Sequence, residues 1–311
     1  MRLILVLSLF LFGCRSATEV ESTQESDVYI KVLGVTQDAG FPQIGCEKEC
    51  CRPMWKPATP DQYVVSLGLL DKKNGAKWLV EATPDIKYQL ALLNEDIPTK
   101  DMLPNGIFLT HAHIGHYSGL IQLGREAIGA DNVLVHCMPR MADFLETNGP
   151  WNQLVRLSNI KLETLSADTW TIMTPELKIK AILVPHRDEF SETVGFQFKG
   201  PNHSVFFVPD IDKWEKWDVE LVELLHDNDL ILIDGTFLDG SELPGRDMSK
   251  IPHPFIQETM ALLIDLPNEQ KSKVHFIHFN HTNPLLRDPK AVQRIREAGF
   301  NVAFQGQTIP L

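Results

Sequence analysis

The stretch Gly106-Ile107-Phe108-Leu109-Thr110, followed at once by His111-Ala112-His113-Ile114-Gly115-His116, decides how this chain is read. An apolar run bounded by Asn105 and the His cluster predicts a short buried strand. Three of the chain's 11 His then fall within six residues, at a strand end. A lone His is usually a hydrogen-bonded core residue, but three together beside Gly can converge on one point. Neutral imidazole is a favoured ligand of zinc and also suits iron. The cluster therefore predicts a metal site.

Outward from that stretch, short strand-like runs alternate with helical stretches. Predicted strands are 28–35, 63–70, 77–81, 106–110 and 132–136, then 177–185, 193–198, 204–210, 229–235, 273–279 and 301–305. Helices are expected at 84–94, 117–128, 139–148, 214–226, 254–265 and 288–298. Two groups of strands with helices to cover their outer faces predict an α/β chain layered as a sandwich. No internal repeat or second linker interrupts residues 28–311, so one domain is expected there.

The start of the chain reads differently. Arg2 precedes an apolar run from Leu3 to Phe12, then Gly13 and Cys14. The run has the length of a secretory signal and is too short to span a bilayer. A small residue before Cys resembles a lipobox, which predicts a signal peptide over 1–13 and acylation of Cys14. Residues 14–27 are polar and read as a flexible tether. The expectation is an exported protein, lipid-anchored in the cell envelope. The 311 residues carry 29 Lys plus Arg against 41 Asp plus Glu, a formal charge of −12. An acidic chain argues against nucleic acid as a partner and leaves a small-molecule substrate.

Thr-His-x-His-x-x-His after a buried strand resembles the metallo-β-lactamase fold motif His-x-His-x-Asp-His, and later landmarks follow in order. His186 precedes a strand containing Gly, Asp210 ends the strand SVFFVPD, and His278, in FIHFNHTNP, ends a late strand, with His281 three residues on. The motif Asp, a ligand of the second metal in that family, is Gly115 here. The stretches GFPQIGCEKECC (40–51), GRDMSKIPH (245–253) and KVHFIHFNHTNPLL (273–286) narrow the resemblance to the branch of the pyrroloquinoline quinone (PQQ) biosynthesis protein B family.

The resemblance implies an αββα sandwich, with a metal site at one edge built from His111, His113, His116, His186, Asp210 and His278. His111, His113 and His186 give three nitrogens and leave a place for water, the open arrangement of catalytic zinc. A divalent cation there lowers the pKa of bound water to about 7. His116, Asp210 and His278 can hold a second cation with Asp210 bridging. Gly115 removes one anionic donor, so a weaker second position is expected, with water, His253 or substrate in the gap. One or two divalent metals follow, zinc first, iron or manganese as alternatives.

Asp210, His253 and His281 are the candidate catalytic residues. For His278 and His281 the expectation is one ligand and one supporting residue. Asp234 is expected to orient a neighbour. Trp214 and Trp217 are expected to pack, and Arg246 and Lys250 to lie in a solvated loop.

Cys46, Cys50 and Cys51 suit a structural zinc, which the resemblance also implies, although no fourth ligand is evident. A disulfide among them, or to Cys137, is the alternative. The first functional expectation is an exported metal-dependent hydrolase of a small ester, phosphodiester, lactone or lactam. The alternatives are an iron-dependent oxidative enzyme like PQQ biosynthesis protein B, and a non-catalytic metal-binding surface lipoprotein. Among the branch's members, those that make PQQ are degenerate in the His motif and act in the cytoplasm, which favours hydrolysis here.

Overall fold

Strand β1 (Val28–Gly34) sends Val28, Ile30 and Val32 into one hydrophobic core and Tyr29 and Leu33 into another. Both of its faces are covered, which is why the strand is apolar except at Lys31 rather than alternating. In this computed structural model, which describes residues 26–56, 62–100 and 102–311, β1 lies inside a seven-stranded sheet. The expected signal peptide, Cys14 and all but the last two residues of the tether lie outside the described residues. Among the described residues no helix is long and apolar enough to cross a membrane.

The first sheet continues through β2 (Ser66–Asp71), β3 (Ala76–Val80), β4 (Gly106–Phe108), β5 (Val133–Cys137) and β6 (Ile160–Thr164). The second contains β7 (Trp170–Ile172), β8 (Lys178–Leu183), β9 (Val194–Lys199), β10 (Ser204–Val208), β11 (Leu230–Asp234), β12 (Val274–Ile277) and β13 (Asn301–Val302). The last strand, β14 (Thr308–Pro310), returns to pair with β1. The sheet orders are β14-β1-β2-β3-β4-β5-β6 and β13-β12-β11-β10-β9-β8-β7. Phe196, Phe198, Phe206, Phe207 and Phe276 are completely buried in the larger core, which also holds the inward residues of β1 and β2.

Helices cover the outer faces. Over the first sheet lie α1 (Ile86–Asp96), the one-turn α2 (Ile114–Tyr117), α3 (Pro139–Thr147) and α4 (Trp151–Arg156), with Ile86, Leu93, Leu145 and Leu154 in the second core. Over the second lie α5 (Leu221–Asp227), α6 (Ile256–Leu262), α7 (Asn268–Lys271) and α8 (Pro289–Glu297). Asp288 caps α8 by accepting from the Lys290 amide at 2.9 Å, with Pro289 at the first helical position. The result is a single-domain αββα sandwich of two mixed sheets.

Several elements differ from expectation. The helix expected at 117–128 is only α2 and a 3₁₀ segment, Ser118–Leu123. Gly119 is drawn against the first sheet, its amide donating to Ala82 O at 2.8 Å, and this ends regular winding. The helix expected at 214–226 is a 3₁₀ turn at Trp214–Lys216 and then α5. Trp217 is extended between them, and the indoles donate to Thr259 Oγ1 at 2.8 Å and Leu183 O at 3.1 Å. Both rings therefore pack against the core, as expected of them.

Candidate metal centre

Parallel pairing of β10, β11 and β12 puts their carboxyl ends side by side, Val208 opposite Ile233 and Asp234 opposite Ile277. Asp210, Asp234 and His278 therefore emerge together at one edge, the place where open α/β sheets bind ligands. The His111–His116 segment leaves the end of β4, and His186 follows β8. The backbone after β1 completes the edge: Gln37 donates to Phe279 O and Phe279 donates to Val35 O, at 2.9 and 2.8 Å. These bonds tie the two sheets together beside His278.

His111, His113 and His186 form one donor group. Thr110 Oγ1 lies 2.8 Å from His111 Nδ1, which aims Nε2 inward, 2.8 Å from His113 Nδ1. Burial pushes His111 well below the usual imidazole range, lowers His113, and takes His186 down to about 4. All three are thus neutral at pH 7, the form that binds metal. Both ring nitrogens of His186 are buried without a hydrogen-bond partner.

A second group joins Asp38, His116, Asp210 and His278. His116 Nε2 lies 2.9 Å from Asp210 Oδ2 and 3.1 Å from Asp38 Oδ1. His278 Nε2 lies 3.2 Å from each of those oxygens. Burial alone would raise the Asp38 and Asp210 carboxyls, but the facing imidazoles hold both well below the ordinary range. Burial would likewise lower His116, yet Asp38 and Glu81 hold it well above its usual value. Asp210 reaches the first group too, at 3.6 Å from His186 Nε2 and 3.9 Å from His111 Nε2.

These residues fit one or two divalent cations. A carboxylate of the second donor group, Asp210, lies beside the first, the three His of the first group are neutral, and buried nitrogens of His186 have no hydrogen-bond partner. Supporting contacts fix the rings. His278 Nδ1 donates to Thr236 Oγ1 at 2.9 Å, and Thr236 Oγ1 donates to Asp234 Oδ1 at 2.7 Å. His278 itself sits at φ 67°, in the left-handed region, and so does Glu81 at φ 72° behind His116. Such strain in non-glycine residues is held by the surrounding structure and clusters at sites. Glu81 Oε1 is 3.6 Å from His116 Nδ1, and its carboxyl is raised chiefly by complete burial.

His253 donates from Nδ1 to Asp234 Oδ2 at 2.6 Å and lies 3.6 Å from Asp210 Oδ1. Burial would lower it, but these carboxylates raise it to about 9. Asp234 thus orients a neighbour, as expected. His253 also lines a cleft of about 720 Å³ together with Arg187, Arg246 and Lys48. Three cations against the single carboxylate of Glu47 on that wall suit an anionic small molecule.

His281 departs from the catalytic role expected of it. The structure gathers it with Cys46, Cys50 and Cys51 and supplies the fourth donor that the sequence did not reveal. His278 alone turns to the centre; His281, three residues on, faces away because the chain turns between Asn280 and Asn283. All four described Cys are free, and Cys137 lies apart in β5. Sγ separations are 3.7 Å for Cys46–Cys50 and 3.9 Å for Cys50–Cys51. Those are far from a disulfide and close to the ~3.8 Å edge of a tetrahedral zinc–thiolate cage. Burial, then the Cys46 contact, pushes the Cys51 thiol up to about 12, so three thiolates need a cation between them.

The sequence reading missed Asp38, Glu81, Thr110 and Thr236. Asp38 is a single carboxylate in a turn, without spacing to mark it. The Glu at the end of the strand over 77–81 was the one local signal available, because a charged residue closing a buried strand asks for a partner.

A sandwich of this topology with clustered His and Asp at strand ends defines a metallo-β-lactamase-type protein. The profile of the Beta-lactamase superfamily domain matches residues 77–279, and the chain belongs to that superfamily. Beyond that, the chain is 28% identical to coenzyme PQQ synthesis protein B of Klebsiella pneumoniae strain 342, across 91% of this chain and 98% of the relative. It is also 28% identical to the protein of that name from Methylococcus capsulatus, across 91% and 99%. The fold superposes on Zn(2+)-bound PqqB from Methylobacterium extorquens with a TM-score of 0.73, at 20% identity over 91% of this chain and 100% of that one. A diphosphatase from the PhnP family gives 0.63 at 18% identity, over 91% and 96%.

Two outcomes follow. His281→Ala should release one zinc per chain, by elemental analysis, and leave the ions of the His–Asp centre in place. Glu242, which accepts from Thr282 Oγ1 at 2.7 Å, is raised by burial to about 7. Between the ordinary value of about 4.5 and 7 the folded chain keeps a proton that the unfolded chain has released. Stability therefore falls as pH rises through that window, by up to about 3 kcal/mol. Glu242→Gln should flatten this slope in urea titrations at pH 4.5–8; an unchanged slope would contradict it.

Proposed function

We propose that this chain is a metalloenzyme acting on an anionic small molecule, with chemistry of the PQQ synthesis protein B kind: an oxygen-using oxidation at an imidazole–carboxylate centre. The observation that carries this reading is the similarity to PQQ synthesis protein B along nearly the whole of both chains. Nitrogen and carboxylate donors also suit iron. The first functional expectation, hydrolysis, becomes the second reading. It is favoured by two donor groups lying side by side with Asp210 between them, an arrangement suited to clamping attacking and leaving oxygens.

A cation held by the His–Asp donors would supply Lewis acidity beside His253, which also lines the cleft. The chain's own residues supply the rest. Arg187, Arg246 and Lys48 attract and hold the anion, so Arg246 is read as a substrate contact rather than an idle loop residue. His253, charged through Asp234, offers a proton at Nε2 to a substrate oxygen. Asp210 holds the imidazoles that surround it in position.

We also infer, from residues 1–14 alone, that the protein is exported and anchored through acylated Cys14. Metabolic labelling with palmitate should mark the wild type and not Cys14→Ser; equal labelling would remove the inference.

Full-length protein in detergent, loaded with Fe(II) without oxygen, separates the two readings. Oxygen uptake dependent on a tyrosine-like substrate supports the oxidative one. Turnover of an ester or phosphodiester panel by the zinc or manganese form, with no oxygen uptake, supports hydrolysis. His113→Ala should lower either activity by at least about 100-fold, since loss of a metal ligand exceeds the loss of a supporting residue. Metal-free protein with full activity would end both readings.

A further inference from the structure

We propose that Asp38, carried on the turn after β1, is the carboxylate ligand of the second cation, and that position 115 is glycine because Asp38 fills its side-chain space. The assignment rests on reading the centre as a metal site, and it replaces the weakened second position expected from sequence.

The argument is steric and geometric. A Cβ placed on Gly115 would lie 2.4 Å from Asp38 Cα, 2.5 Å from its Cβ and 2.6 Å from its Cγ. No real side chain tolerates such distances, and the obstruction includes backbone, so it cannot swing aside. Gly115 does not have a positive φ, so the backbone there does not itself demand glycine. The demand comes from Asp38. One carboxylate fits in this corner, and this chain delivers it from the β1 side rather than from α2.

Asp38 is also aimed. Its Oδ1 lies 3.1 Å from His116 Nε2 and 3.2 Å from His278 Nε2, and Asp210 Oδ2 meets the same two nitrogens at 2.9 and 3.2 Å. Two nitrogens and two oxygens thus surround one point. The turn that carries Asp38 is fixed at both ends. Gln37 N donates to Phe279 O at 2.9 Å, and Gly40 N donates to Gln37 O at 2.8 Å. Because Phe279 follows His278, the bond that places Asp38 also places its partner imidazole. Asp210 Oδ2, buried and without a hydrogen-bond partner of good geometry, points to the same place.

The test uses full-length protein in detergent, loaded with Mn(II) and read by electron paramagnetic resonance, with metal content measured alongside. Wild type should show an exchange-coupled pair bridged by Asp210. Asp38→Ala should show a single uncoupled ion, with second-site affinity weakened more than about 100-fold. Asp38→Asn, matched in shape, should also lose the coupling while melting close to wild type; it decides the matter if the Ala variant folds poorly. Gly115→Asp alone should lower the melting temperature, and the pair Asp38→Gly with Gly115→Asp should recover both melting temperature and coupled signal. A coupled pair at wild-type affinity in Asp38→Ala or Asp38→Asn would overturn the assignment of Asp38 alone. A wild type that takes only one ion would instead overturn the metal-pair reading beneath it.

Discussion

The Asp210 carboxylate is the constraint on which the rest of the edge is built. It is buried at the end of β10, and an isolated carboxylate in such a place would cost several kcal/mol or take up a proton. Four imidazoles, of His116, His278, His186 and His253, lie within 3.6 Å of it. Each comes from a different segment, and each is held from behind or left free to meet a cation. Parallel strands β10, β11 and β12 are what allow so many strand ends to meet one anion. Antiparallel neighbours would have sent alternate ends to the far side of the sandwich.

The parts of this arrangement that were legible in the sequence are those encoded locally. Three His after a buried strand, Asp210 two residues past SVFFV, and His278 directly after VHFI each announce a strand end carrying a donor. The layered fold was legible from the alternation of apolar runs and amphipathic stretches. Less legible were β6, β7 and β14, edge strands of only three to five residues, and the 3₁₀ segments, whose winding is set by contacts with Ala82, Leu183 and Thr259 rather than by period.

Asp38 was illegible for a deeper reason. It stands 78 residues from His116 and 240 from His278 in the chain, and only the closure of the two sheets brings them together. The absence of the motif Asp at 115 was visible, and from the linear sequence it reads as a lost donor. In three dimensions it is a relocated one. His281 shows the converse: it lies beside a ligand in the sequence, and the turn after His278 carries it into a separate cluster.

That cluster has a practical consequence for how inhibition of this protein is interpreted. Cys46 and His281 belong to the thiolate–imidazole cage and also line the cleft, so an alkylating agent or oxidant that opens the cage deforms the wall against which an anionic molecule rests. Loss of activity after thiol modification would then resemble the signature of a cysteine nucleophile, although among the described residues no cysteine joins the donor groups around Asp210. Protection by zinc, rather than by substrate, distinguishes a collapsed wall from a blocked nucleophile.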